Sequence, residues 1–330
     1  MNGNIHTLAT ATRRMAAWAF LGGTVALAGC GGGGNSGAAP APTLPERTAA
    51  AQATANHNAL CTAIAPFHWS LGDGTGRLAD GITGTGGPDA LTAMNIASAS
   101  KLLYSAWVAE QRNGVFTTED VRHLNFTSGY TEFSNCLRAQ TVAQCQAYLT
   151  NGDHVAGNDG KFFYNGGHMQ KHATLMGIGA DDNTALARDI SSALGNIGIP
   201  YSQPQLAGGV VSNATEYGLF LQRTVAGQTK IAALLGSHPV CTNPLTCATA
   251  LSTPIPTDES WHYSVGHWVE DDPVVGDGAF SSPGAFGFYP WISADKKWWG
   301  IVARHQTGGA IESMKCGREI RAAWVSGVAR

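Results

Sequence analysis

Charge is scarce in this chain. Asp, Glu, Lys and Arg make up 13% of its 330 residues, and the formal net charge is -3. With no basic run it lacks the electrostatic footprint of a nucleic-acid binder, and no such partner is expected. Cys-x-x-Cys does not occur, which argues against a zinc ribbon or a thioredoxin-type redox site. Gly-x-Ser-x-Gly is also missing, which disfavours the nucleophile elbow of an α/β-hydrolase. His168 and His172 lie at i and i+4, yet no glutamate completes His-Glu-x-x-His, so no zinc site is expected there. The run Gly84-Thr85-Gly86-Gly87 has no parallel β-α-β context and reads as a loop, not a phosphate cradle.

The N-terminus reads as an export signal. Arg13 and Arg14 precede an apolar stretch, Met15 to Ala28, that is too short to span a bilayer. It ends Leu27-Ala28-Gly29-Cys30, which resembles the lipobox of bacterial lipoproteins, where the cysteine is lipidated and becomes the new N-terminus. Gly31 after that cysteine implies sorting to the outer membrane, with the protein facing the periplasm or the cell surface. Residues 1–30 are thus expected to be a signal peptide and 31–45, rich in Gly and Pro, a flexible tether. Residues 46–330 are left for a folded domain, held to a membrane by its lipid.

Seven cysteines less Cys30 leave six, an even number suited to disulfides in an oxidising compartment. Proximity couples Cys136 with Cys145 and Cys241 with Cys247. Cys61 and Cys316 would then staple the two ends of the domain. Six cysteines admit many other pairings, and spacing alone leaves those open.

Ser98 and Lys101 form a Ser-x-x-Lys inside Met94-Asn95-Ile96-Ala97-Ser98-Ala99-Ser100-Lys101-Leu102-Leu103. A serine hydroxyl needs a base to become a nucleophile, and on a helix i and i+3 share a face. Apolar neighbours at helical spacing predict a buried helix, where desolvation would leave the amine neutral and able to act as that base. A second match, Ser293-Ala294-Asp295-Lys296, follows a strand-like run and reads as a hydrated hairpin tip.

A helix is expected over 46–64, then strands at His68–Leu71 and Arg77–Thr83 joined through Asp73-Gly74. From Asn95 to about Lys230 the chain reads as helical and loop-rich. Strands return at Trp261–Val269, Gly284–Ile292 and Trp298–His305, and a helix closes the chain over Ile311–Val328. The fold class is α/β (α+β): one antiparallel sheet built from both chain ends, flanked by helices, with an inserted, mainly helical lobe over roughly 105–235. Trp261, Trp268, Trp291, Trp298 and Trp299 read as core, with one or two rimming an apolar acyl pocket.

This layout, with Ile96-Ala97-Ser98-Ala99-Ser100-Lys101 opening the helical section, resembles the serine β-lactamase and penicillin-binding-protein superfamily, and most closely the class C-like, family VIII esterases. Four further segments carry the resemblance. Leu124 to Tyr130 is similar to the L-x-x-H-T-S-G loop. Phe162-Phe163-Tyr164-Asn165-Gly166-Gly167-His168 resembles the Y-x-N motif, and Gly208 to Tyr217 resembles G-G-L-x-S-T-A-x-D. Ser282-Pro283-Gly284-Ala285 occupies the place of K-T-G or H-x-G. The resemblance implies a Ser98 acyl-enzyme, with Lys101 and Tyr164 sharing the base role and the tyrosine as a phenolate beside a cationic lysine. It also implies an oxyanion hole from the N–H groups of Ser98 and Ala285, and substrate contacts from Asn165, Ser282 and Gly284. Neither a metal nor an organic cofactor is implied.

Two departures matter. The tyrosine motif is one residue short, so taking Asn165 as its asparagine would put Phe163 where the base belongs. Ser282 replaces the cation that would hold a substrate carboxylate, which favours a small uncharged ester or amide. The alternatives are β-lactamase or D-amino-acid peptidase action on cell-wall material, and a non-catalytic penicillin-binding lipoprotein. The sequence does not set an oligomeric state.

Overall fold

A computed structural model describes residues 40–330. The expected signal peptide, Cys30 and most of the tether lie outside the described residues. Among those described, no helix is long and apolar enough to cross a membrane. Helix α1 (Leu44–His57) takes in the last two residues of the expected tether. Thr43 caps it: its hydroxyl accepts the Glu46 N–H while the Glu46 carboxylate accepts the Thr43 N–H. Asn58 ends α1 and caps the short α2 (Ala59–Thr62), so the single helix expected over 46–64 is two.

Strands β1 (Phe67–Asp73) and β2 (Gly76–Thr83) form the expected hairpin, followed by β3 (Met94–Asn95). The middle of the chain is helical: α3 (Ser100–Gln111), α4 (Thr118–Leu124), α5 (Val142–Gln146), α6 (Gly167–Leu175), α7 (Asn183–Ala193), α8 (Ala214–Val225) and α9 (Ile231–Leu234). The short strands β4 (Phe162–Phe163) and β5 (Val211–Ser212) interrupt it. Then come β6 (Val240–Cys241), β7 (Ala250–Ser252), β8 (His262–Ser264), β9 (His267–Glu270), β10 (Ala279–Ser281), β11 (Tyr289–Ile292), β12 (Trp299–Ala303) and α10 (Ala310–Ser326).

Eight strands make one antiparallel sheet in the order β2-β1-β12-β11-β10-β9-β8-β6. The two chain ends meet at β1–β12, where Trp69 pairs with Val302. Side chains alternate across β12: Trp299 packs on Gly218 of α8, and Val302 packs towards Gly317 of α10. The sheet is therefore covered by α8 on one face and by α1 and α10 on the other. Arg321 fixes α10 to the sheet, its Nη2 donating to Glu270 at 2.8 Å and its Nη1 to the Tyr289 hydroxyl at 2.6 Å.

Two expected strands differ. Trp261–Val269 is a hairpin, β8 and β9, because the chain turns at Gly266 with φ 77°, a conformation that favours glycine. Within Gly284–Ile292 only the last four residues are strand, and 282–288 form an irregular crossover next to β10, a strand the sequence did not reveal. The disulfides are Cys61–Cys316, Cys136–Cys145 and Cys241–Cys247, the pairs that proximity favoured.

Candidate active site

The site begins where β3 ends. β3 pairs with β5, and the Ile96 N–H donates to the Val210 carbonyl at 3.1 Å. Ala97 then takes φ 43°, a left-handed value uncommon for a residue with a side chain, and turns the chain sharply. Ser98 sits in the 3-10 turn Ala97–Ala99, just before α3, and not on the α-helix expected for it. The geometry is still favourable, because i and i+3 eclipse along a 3-10 turn. Two hydroxyls clamp the turn. Ser282 donates to the Ser98 carbonyl at 3.0 Å and Tyr217 to the Ala99 carbonyl at 2.9 Å.

Lys101 is buried, with Nζ 2.8 Å from Ser98 Oγ and 2.8 Å from the Ala207 carbonyl oxygen. Its other neighbours are aromatic: the rings of Tyr164 at 4.8 Å and Phe126 at 5.9 Å. It makes no ion pair among the described residues. Desolvation therefore acts unopposed and pulls its pKa down to about 7. The neutral amine can donate to Ala207 while its lone pair faces the Ser98 hydroxyl. Tyr164 behaves oppositely. Burial pushes its phenol up to about 12, although contacts with Ser98 and Trp268 pull the other way. Burial thus works against the expected phenolate, and a lysine whose own charge is disfavoured by burial offers it little support.

Ser98, Tyr164 and Ala285 line one cavity of about 240 Å³ whose remaining walls include Ile255, Trp268, Pro283 and Ile311. No charged residue among those described lines it. The Ala285 N–H donates to no group among the described residues, while its carbonyl accepts the Gly309 N–H at 3.1 Å. Gly284 lets this segment lie against the nucleophile turn, since a Cβ there would run into the Ile96 carbonyl. Gly284 thus shapes the site by close approach.

The polar groups of Asn165 and Ser282 bond to the protein itself. The Asn165 amide donates to the carbonyls of Thr131 (2.9 Å) and Phe133 (3.3 Å), and its oxygen accepts the Gly167 N–H, so it ties loops together. The Ser282 hydroxyl is committed to Ser98. The shifted motif register also fails geometrically, because Tyr164 lines the cavity and Phe163 does not. The second Ser-x-x-Lys is the turn between β11 and β12. There Ser293 bonds Asp295 and Lys296 donates to the Ala232 carbonyl. His168 is buried between Ser128 and the Phe163 carbonyl, and His172 between Tyr104 and Asp120. No group of three or more potential metal ligands occurs among the described residues. Of the tryptophans, Trp268 lines the cavity and stacks on Tyr164 at 5.3 Å. Ala207, which acts through a backbone carbonyl, was not legible in the sequence, nor were Ile255, which arrives from a loop, and Ile311, which arrives from the first turn of α10.

The fold has clear counterparts among solved structures. EstCE1, described as a hydrolase with promiscuous acyltransferase activity, is 12% identical with a TM-score of 0.61, over 86% of this chain and 99% of its own. A D-stereospecific amidohydrolase from Streptomyces is also 12% identical with a TM-score of 0.58, over 87% and 100%. A penicillin-binding protein from Bacillus halodurans matches at 12% identity and 0.55, over 75% and 93%. This is the fold of the serine β-lactamases and penicillin-binding proteins. No protein-family model matches the sequence, and no curated protein does. In this chain Ser98, Tyr164 and Ala285 line one cavity with Lys101 bonded to Ser98, while the Asn165 amide and the Ser282 hydroxyl bond to backbone carbonyls.

Proposed function

We propose that the protein is a serine hydrolase that cleaves small, uncharged esters through a Ser98 acyl-enzyme. The observation that carries this reading is the Lys101–Ser98 pair: a desolvated amine 2.8 Å from a hydroxyl, at the edge of an apolar cavity. Lys101 takes the Ser98 proton as Oγ attacks the carbonyl carbon. The N–H groups of Ser98 and Ala285 receive the developing oxyanion, a contribution of roughly 3 kcal/mol per donor. Tyr164, protonated, relays a proton to the departing alkoxide. Water then attacks the acyl carbon, with Lys101 and Tyr164 as its acid–base partners, and the carboxylic acid leaves.

The cavity offers no cationic side chain to a substrate carboxylate, which weighs against β-lactams and D-Ala-D-Ala peptides and for the family VIII-like branch. The deciding assay compares p-nitrophenyl butyrate with nitrocefin, using wild type, Ser98→Ala and Tyr164→Phe. Ester turnover should vanish in Ser98→Ala and fall at least ~10²-fold in Tyr164→Phe, in line with general acid–base contributions. Efficient nitrocefin turnover would overturn the uncharged-substrate reading and assign the carboxylate to the N-terminus of α10, which has no side-chain cap. An outer-membrane lipid anchor on Cys30 belongs to the same proposal, and Cys30→Ala should move the protein to the soluble fraction.

A further inference from the structure

The chain from Arg304 to Ile311 borders two cavities. Gly308, Ala310 and Ile311 line the catalytic pocket, whereas Arg304, His305 and Gln306 line a second one of about 430 Å³. Its other walls include the apolar Ile64, Pro66 and Met94 and the polar Asn95. No carboxylate among the described residues lines it.

Arg304 is the unusual member. It is only 9% exposed, and its two side-chain hydrogen bonds go to neutral oxygens. Nε donates to the Ser313 hydroxyl at 2.8 Å and Nη2 to the Gly309 carbonyl at 3.2 Å. Nη1 bonds to no described residue. The nearest carboxylate, Glu312, is 3.9 Å away and largely solvated, so it neutralises the guanidinium weakly. Burial accordingly pulls the Arg304 pKa below the usual arginine range. Buried cations are as a rule paired, and a guanidinium fork matches a carboxylate. The arrangement is a cation with a free donor facing a half-apolar space.

We propose that this second cavity binds a small organic monocarboxylate, paired with Arg304 and laid against Ile64, Pro66 and Met94. The site is wired to the catalytic one, since Gly309 accepts from Arg304 and donates its N–H to the Ala285 carbonyl. The inference does not depend on the proposed ester chemistry and is tested without turnover.

The experiment is a calorimetric titration of the full-length Ser98→Ala chain with benzoate and, in parallel, with neutral benzamide. One saturable benzoate site is expected, with benzamide at least ~10-fold weaker, as for loss of a charge-assisted pair. Arg304→Gln should weaken benzoate by a similar factor. Because that variant also removes the bonds to Ser313 and Gly309, Ala93→Trp is the second test. Ala93 is an exposed residue of the cavity wall, and a tryptophan there obstructs the cavity while leaving Arg304 in place. Weaker benzoate binding in folded Ala93→Trp supports the site. Binding that is unchanged in Ala93→Trp, equal affinity for benzamide, or no saturable benzoate binding would each overturn it.

Discussion

Lys101 is held where an ammonium is least stable, and that is what makes Ser98 reactive in this account. The active form is the neutral amine. Values of kcat/KM for a neutral ester should therefore rise with pH through about 7 and level off above it. A basic limb near 10 would mean that the lysine is hydrated. The same burial costs stability. The unfolded chain holds the lysine proton up to about 10.5 and the folded chain only to about 7. Folding therefore releases a proton between these values, and stability from this group rises with pH across that window. Lys101→Met should be inactive yet melt higher than wild type, with the gain largest below pH 7 and shrinking towards 10.5. An unchanged or lower Tm at pH 6 would contradict the desolvation argument. The Ser98–Lys101 pair was legible in the sequence because both residues sit in one local motif. Which protonation state Tyr164 takes was not legible, since it depends on Trp268 and other residues that come together only in the fold.

The decisive element is the 3-10 turn that carries Ser98, not the helix behind it. Its position comes from β3 pairing with β5 and from Ser282 and Tyr217 reaching its carbonyls. The sequence shows the motif that contains Ser282 but not this role, because a hydroxyl at a substrate-binding position and one at a clamp look alike. Ser282→Ala should fold, and its kcat should fall about fivefold as the turn loosens, with KM nearly unchanged, since a net hydrogen bond is worth roughly 1 kcal/mol. A large rise in KM alone would restore Ser282 to a substrate role. Element types were largely readable from periodicity and turn residues. The hairpin at Gly266 was not, because both its strands are short and Trp261, Tyr263 and Val265 alternate with His262, Ser264 and Gly266, a period that reads as one strand.

At the scale of the molecule, both termini build one sheet, and Cys61–Cys316 joins them across 255 residues. Closing so long a loop restrains the unfolded chain most, so the Cys61→Ser, Cys316→Ser pair should lose several kcal/mol in denaturant unfolding, at the upper end of the usual 2–5 kcal/mol range. A loss under about 1 kcal/mol would show that the sheet and α10 hold the ends without it. The two-ended sheet with helices between was visible in the order of strand-like and helical stretches, whereas the second cavity, assembled from residues 64 to 66, 88, 92 to 95 and 304 to 306, was not. Acylation of Ser98 changes the mass of the whole chain. The intact mass, taken within the first turnovers with p-nitrophenyl butyrate and followed by peptide mapping, should show one butyryl group on Ser98 that decays as substrate is exhausted. Turnover without that adduct, or the adduct and turnover persisting in Ser98→Ala, would contradict the account.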